Sequence, residues 1–375
     1  MHILLTHIVL FEQTQIERKL SFNSSNFVYD QRLSSLIGHC HQSIGSRMKT
    51  RFGIVLPTRG MLFAKTSARQ DIIELSKLIE EYGYDAVWAG DSILAKPRLD
   101  SISVLSAVAG ATERVKLGTA CFASFPLRHP IILAYQWATL DALSEGRSLL
   151  VICQGTPTQH GKIYRNEFDA LGISPKEKMR RSEESIEIIR KLWESDNVSY
   201  DGQIFKFKDV TMLPKPVQKP CPIWIASNPR STGELEGPPG EIEKNFDRVG
   251  KYADGWMSTM LDPEEFREDA ERVRAALRKH HRESNTFGMC LYYNVNMNDD
   301  KQKAAAESTD FLMKYYREDP SGILDKWVAY GNRKDCADKI ESFVKAGVDT
   351  FSIRFVAWNQ IEQLKRFSKE VLPSF

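Results

Sequence analysis

Nowhere does the chain run through the roughly 20 consecutive apolar residues that a bilayer-spanning helix needs, so an integral membrane helix is not expected. Its six cysteines (Cys40, Cys121, Cys153, Cys221, Cys290, Cys336) include no CxxC pair, which removes a zinc ribbon. At 375 residues a disulfide scaffold is not expected either. An excess of one charge is also missing. Lys and Arg number 51 against 49 Asp and Glu, a net charge of +2, without the basic excess of a nucleic-acid surface. Absent too are a GxSxG elbow, a GxxxxGKS/T loop and a GxGxxG after a strand, so serine hydrolysis and nucleotide-triphosphate chemistry lose their usual supports. With 42% hydrophobic and 27% charged residues, what remains is a soluble globular protein of one large domain or two ordinary ones, expected in the cytoplasm.

Residues 1–47 stand apart. They carry four of the eight histidines (His2, His7, His39, His41) and no sustained period of 2 or 3.6. The apolar opening lacks a basic n-region and a small-residue cleavage site, which argues against a signal peptide. We expect this segment to be a disordered tail or an extension of the gene reading, with the domain occupying residues 48–375. A metal cluster of the four histidines is a weaker reading than a biased tail.

From residue 51 onward β-rich runs alternate with helical periods. Ile72, Leu75, Ile79 and Tyr82 share one face of a helix over 68–82, and Gly83 supplies its stop. An Asp then leads into the apolar run 85–89. The same phrase returns at Asp349 before 350–355 and, more loosely, at Asp254. Eight strands are predicted, near 51–56, 85–89, 115–121, 148–153, 222–226, 254–258, 286–296 and 350–355. Helices are predicted near 68–82, 100–112, 130–145, 174–195, 241–252, 262–283, 299–317, 335–346 and 360–371. Eight such repeats favour a closed (β/α)8 TIM barrel with insertions over a doubly wound open sheet. Tyr200-Asp201-Gly202-Gln203 marks a hairpin turn between strands four and five.

In such a barrel the reacting groups stand at the C-terminal strand ends. Strand two ends in Gly90-Asp91-Ser92, where Asp91 could accept from a heterocyclic N–H, act as a base, or only cap the next segment. Strand three ends in Thr119-Ala120-Cys121, strand four in Cys153-Gln154-Gly155, strand six in Ser258-Thr259 and strand eight in Arg354. Strand five ends in Ser227-Asn228-Pro229-Arg230-Ser231-Thr232. Small polar residues with one arginine suit a phosphate, although an ordinary loop reads the same way. The histidines after residue 48 (His129, His160, His280, His281) end no strand, so no metal site is expected and His129 reads as structural. A mouth with so few acids, bases and nucleophiles suggests that an organic cofactor carries the reaction.

Several longer phrases carry a resemblance: Phe52-Gly53-Ile54-Val55-Leu56-Pro57, Gly83 through Asp91, Ala111 through Thr119, Leu127-Arg128-His129-Pro130, Thr139 through Arg147, Leu213 through Gln218, and Pro222-Ile223-Trp224-Ile225. In this order they resemble the bacterial luciferase-like superfamily of flavin- and deazaflavin-dependent oxidoreductases over about residues 50–372. The resemblance implies a luciferase-like TIM barrel, usually dimeric, with FMN or the 5-deazaflavin coenzyme F-420 at its mouth. By position it implies Asp91 and Ser92 beside the ring edge as the catalytic pair, and a non-proline cis peptide at Ala120–Cys121. It further implies cofactor contacts from Cys153 and Gln154 and a phosphate loop of Ser227, Asn228, Arg230 and Ser231. Two departures matter. Ser92 replaces a histidine found in several relatives, and Ala226-Ser227 replaces a glycine pair ahead of the long segment Gly233 to Glu243.

The leading expectation is a monooxygenase that uses reduced FMN and O2 on a small organic substrate, with a separate NAD(P)H:flavin reductase as a possible partner. Phe122, Phe125 and Trp256 would line its mouth or pack the core, and Arg354 would balance Asp91. A deazaflavin-dependent reductase or dehydrogenase is the alternative, and a non-catalytic flavin-binding protein the third.

Overall fold

An aspartate at the foot of a strand explains the repeated phrase. The computed structural model describes residues 50–60, 67–155, 162–230, 240–317 and 319–375. Within them Asp85, Asp254 and Asp349 each join two neighbouring strands in the same way. The Asp85 carboxylate accepts from Phe52 N (2.8 Å) while Asp85 N donates to Phe52 O (2.7 Å). Asp254 repeats this double bond with Ile223, and Asp349 with Met289. Each staple sets the register at the N-terminal rim, where residues serve stability.

The strands so joined are β1 (Arg51–Val55), β2 (Ala86–Ala89), β3 (Lys116–Thr119), β4 (Ser148–Ile152), β5 (Ile223–Ala226), β6 (Gly255–Ser258), β7 (Gly288–Met297) and β8 (Thr350–Phe355). Each pairs in parallel with the next, and β8 returns to β1 through Phe351 opposite Phe52, so the sheet closes. This is the expected (β/α)8 barrel, and the open sheet is excluded. The hairpin forms from Val198–Asp201 and Lys206–Val210, its turn held by Glu184 accepting from Gln203 N, Ile204 N and Phe205 N. Two elements escape the periodicity: the helix Lys162–Ala170 and a ninth parallel strand, Val328–Gly331, beside β7. Residues 1–47 with their histidines lie outside the described residues, as do Ser231 and most of the segment from Gly233.

The phrase Thr139 through Arg147 is scaffold. Asp141, wholly buried, accepts from Ser148 Oγ, from the backbone N–H of Val217 and Gln218, and from Gln218 Nε2. Arg147 donates to the carbonyls of Ala109, Thr112, Val115 and Ser144. Together they fasten the helix Pro130–Leu143 to two loops whose polar groups would otherwise be buried without partners.

Inside the barrel two tryptophans are the largest side chains of the inner cluster, and glycines on nearby strands make room for them. A Cβ on Gly53 or Gly118 would overlap the Trp88 ring, and one on Gly255 or Gly288 would overlap Trp224. Val55, Leu149, Val151, Met257 and Cys290 complete this inner cluster, against which Ala120, Cys121, Ala226 and Tyr292 pack. A packed plug therefore floors the C-terminal mouth. Gly118→Ala and Gly255→Ala are each expected to destabilise by about 1–3 kcal/mol through overpacking. Gly110→Ala, where the nearest atom to a new Cβ is 3.8 Å away, is expected to stay within about 0.5 kcal/mol of the parent. Urea midpoints of the three variants check this.

Candidate active site

Above the plug the strand ends enclose a cavity of about 550 Å³, within the range of cofactor and ligand pockets. Asp91 and Ser92 reach it from β2, Ala120 and Cys121 from β3, and Cys153 and Gln154 from β4. Ser227 and Asn228 come from β5, Ser258 and Thr259 from β6, and Tyr292 from β7. Eight of the ten residues expected at the site on sequence grounds thus line this cavity; the exceptions are Arg230, which is not among the lining residues, and Ser231, outside the described residues.

The acids at this mouth are occupied. Asp91 is 6% exposed, and its Oδ1 accepts from Ser101 Oγ (2.9 Å) while Oδ2 accepts from Ser124 N (2.7 Å). Arg128, not Arg354, is its cation, at 3.5 Å. Glu167, from the helix the periodicity missed, accepts from Ile93 N (2.6 Å), Leu94 N (2.8 Å) and Ser92 Oγ (3.3 Å). Glu167 therefore fixes the loop after β2, Asp91 ties that loop to the helix Ser101–Ala109 and to the loop after β3, and Ser92 is committed to Glu167 and to Lys96 N. The N-cap of that helix is Asp100, whose carboxylate accepts from Ser103 N, so Asp91 serves as a cross-link between loops and not as a helix cap.

On the floor, the peptide Ala120–Cys121 is cis, as the resemblance implies for this position. The scattered cysteine numbering hides one pairing, since Cys121 and Cys153 form a disulfide with Cα atoms 5.8 Å apart. They lie 32 residues apart but on adjacent strand ends, next to the bridge between Phe122 and Ile152. Cys221 and Cys336 are buried apart from it, their thiols pushed up to about 12 chiefly by burial.

Two expectations, for Arg230 and Arg354, need correction, and of the two roles left open for the aromatics the core is the one found. Arg230 turns away from the cavity: its Nε bonds Asp269 Oδ1 (2.8 Å) and its Nη2 bonds Glu268 (2.6 Å). Asp269 is fully buried and draws the guanidinium to itself. Phe122, Phe125 and Trp256 are core, not mouth; Trp256 packs between Phe246 and Phe266, and Phe122 against Trp137. Arg354 bonds Asn294 and Tyr316. His129 caps the helix at Pro130 and meets the Phe205 ring, the structural role expected of it.

In place of Arg230, two cations from helices face the β4–β5 side of the cavity. Arg248, held by Glu183 (3.0 Å) and Asn245 (3.0 Å), comes from the helix Glu241–Tyr252. Lys178 begins the helix Lys178–Glu194 and makes no ion pair among the described residues. Burial disfavours its ammonium and brings its pKa down to about 8. Beside Lys178 and Arg248 stand Ser182, Asn228 and the buried Ser258, whose Oγ has no hydrogen-bond partner among the described residues. A cation without a carboxylate partner beside the unpartnered Ser258 hydroxyl fits the phosphate of a coenzyme. Neither helix position carries a motif, so a search confined to strand ends passes over both.

The profile of the luciferase-like monooxygenase family matches residues 50–350. An F420-dependent glucose-6-phosphate dehydrogenase of Amycolatopsis mediterranei is 26% identical over 331 residues, covering 82% of this chain and 96% of that protein. A 5,10-methylenetetrahydromethanopterin reductase of Archaeoglobus fulgidus is 25% identical over 310 residues, 78% of this chain and 84% of that one. Among solved structures, the monooxygenase RslO1 from Streptomyces bottropensis superposes with a TM-score of 0.71 at 22% identity, over 86% of this chain and 99% of its own. That last likeness speaks to the fold.

The charge of Lys178 makes binding depend on pH. With its free pKa near 8, the ammonium is about nine-tenths present at pH 7 and one-tenth at pH 9. A phosphate favours the charged form, so binding takes up protons and weakens as pH rises. Calorimetry with FMN as probe is expected to show roughly tenfold weaker binding at pH 9 than at pH 7, and no such loss in Lys178→Met. Arg230→Ala is expected to leave FMN affinity unchanged but to lower stability by on the order of 1–3 kcal/mol, because a bond to buried Asp269 is lost.

Proposed function

Because the chain belongs to the luciferase-like monooxygenase family, we propose that it is an oxidoreductase holding a flavin-type coenzyme across the barrel mouth and exchanging two electrons with a small organic substrate. The observation that carries this reading is the state of the mouth acids: Glu167 is spent on the loop after β2, and Asp91 on Ser101 and on Ser124 in the loop after β3. The cavity supplies shape, polarity and positive charge, and the redox chemistry belongs to the coenzyme when it is bound. Lys178, Arg248 and Asn228 would hold its phosphate, while the Ala120–Cys121 backbone, Cys153 and Gln154 would face its ring. The plug below and the half-buried Tyr292, Tyr315 and Tyr316 restrict water around it.

Between the two coenzymes we favour the deazaflavin, with hydride transfer to or from the substrate. Relatives that cover about four-fifths of the chain are named for F420-dependent dehydrogenation or for methylenetetrahydromethanopterin reduction. This reverses the order of the sequence reading, which leads with reduced FMN and O2. The monooxygenase reading keeps one support: Ser92 stands where several relatives have a histidine, and its hydroxyl is tied to Glu167. A homodimer, and a separate flavin reductase in the FMN case, belong to this proposal too.

Thermal shift with FMN, FAD and F420 separates the readings. The preferred coenzyme at a hundred times its Kd is expected to add about 2.7 kcal/mol of stability. Turnover with the reduced coenzyme under anaerobic conditions is expected on the deazaflavin reading, and an absolute need for O2 would move the assignment to monooxygenation. Binding without turnover in any substrate screen would favour a coenzyme carrier, and no response to any tricyclic ring would remove the proposal.

A further inference from the structure

Opposite the Lys178 side, the cavity wall below β7, β8 and the loop after β2 carries a second concentration of positive charge. Lys96, Arg98, Tyr292, Tyr315 and Tyr316 line it. Arg98 lies directly on Gly90 at the end of β2, where a Cβ would overlap its guanidinium. Its carbon is 5.7 Å from the centre of the Tyr315 ring, which Arg59 approaches to 4.7 Å and Arg354 to 4.5 Å. Lys96 Nζ stands 4.6 Å over Tyr316. Four cations thus surround these tyrosines.

Arg98 and Arg354 form no ion pair with any carboxylate among the described residues. Arg354 is 4% exposed and points up the barrel from β8. Its Nε bonds Asn294 (2.9 Å) and its Nη1 the Tyr316 hydroxyl (3.0 Å), but its Nη2 is buried without a partner. The Tyr315 phenol registers the imbalance. Burial raises its pKa, yet Arg98, Arg354, Arg59 and Lys96 together bring it below the ordinary phenol value. Arg98 and Arg354, set here without a carboxylate, are retained where a ligand completes them, since removing charge from water without a counter-charge is costly.

We infer that this wall is a second anion site, built from Lys96, Arg98 and the Tyr315 hydroxyl with Arg354 behind them, and that it takes the phosphate or carboxylate of the organic substrate. Assigning the anion to the substrate rests on the proposed function, in which the coenzyme phosphate occupies the Lys178 side. The charged and titratable groups facing Tyr315 are Arg59 after β1, Lys96 and Arg98 after β2, Tyr292 of β7, Arg354 of β8 and the adjacent Tyr316. A bound anion offsets the cations among them, so it lets the Tyr315 pKa rise.

Carbon-13 NMR of the full chain labelled at tyrosine Cζ reads this directly, with Tyr315→Phe assigning the resonance and inorganic phosphate as the probe. Saturating phosphate is expected to raise the Tyr315 titration midpoint by about one pH unit, with an apparent phosphate Kd roughly tenfold weaker in Arg98→Met and in Lys96→Gln. Lys178→Met is expected to leave that response intact. No shift, or a shift lost in Lys178→Met and kept in both wall variants, overturns the site. Repeating the titration with saturating FMN or F420 separates the two sources of anion. A retained response assigns the wall to the substrate, and a response abolished by F420 gives it to the coenzyme's acidic tail and overturns the substrate assignment. Coenzyme binding without a phosphate response would refute the wall alone; a phosphate response without coenzyme binding would refute the proposed function alone.

Discussion

Filling the barrel is the constraint from which the rest follows. Eight parallel strands leave an interior that side chains must occupy at crystal-like density. Here Trp88 and Trp224 are the two large rings, Trp88 lying over glycines on β1 and β3 and Trp224 over glycines on β6 and β7. Two large rings and four absent side chains are one solution to a volume problem, so neither part can change alone. Because the plug is rigid, the strand ends above it are held at fixed separations, and the loops can carry charged groups that a softer scaffold would let collapse or hydrate.

Charge is sorted by the same geometry. At the N-terminal rim, Asp85, Asp254 and Asp349 are consumed in stapling strand to strand. At the mouth, Glu167 is consumed in holding the loop after β2, and Asp91 in tying that loop to Ser101 and to the loop after β3. Asp141 and Asp269 are buried within the shell of helices and loops. With these carboxylates engaged in structure, the cavity keeps its cations: Lys178 and Arg248 on one side, Lys96 and Arg98 on the other. A chain of near-zero net charge thereby presents a positive interior to its ligands, a property that composition cannot register.

The architecture was legible because its signals are local. A strand needs a short apolar run, a helix a period of 3.6, and a staple an Asp just ahead of the run, so the eight barrel strands could be placed to within a few residues. The cis peptide at Ala120–Cys121 was legible only through resemblance, since nothing in the dipeptide itself demands it. Long-range pairing was not legible. Arg230 looks free in the sequence because Asp269 lies 39 residues on, and Cys121 looks isolated from Cys153 for the same reason. Phe122 and Trp256 follow or sit within strands, where one residue's difference in register decides between core and mouth. Lys178, Arg248 and Tyr315 lie on helices, and only the loops between helix and strand determine that they lean over the barrel.

Charge set without a carboxylate partner, as on Lys178 and Arg354, has a stability cost, and it persists only where the surrounding structure can bear it. The cost is spread unevenly around the ring. Lys178 answers it by giving up part of its protonation, since an ammonium shifts readily when buried. Arg354 cannot do so, because a guanidinium stays charged throughout the physiological range. It leans instead on three phenols and Asn294, groups that can be polarised but carry no full negative charge near neutral pH. The two sides of the cavity therefore differ in kind. One gives up part of its charge as pH rises through about 8 and recovers it as a ligand arrives, while the other stays charged and is relieved by an anion or by the ionisation of Tyr315.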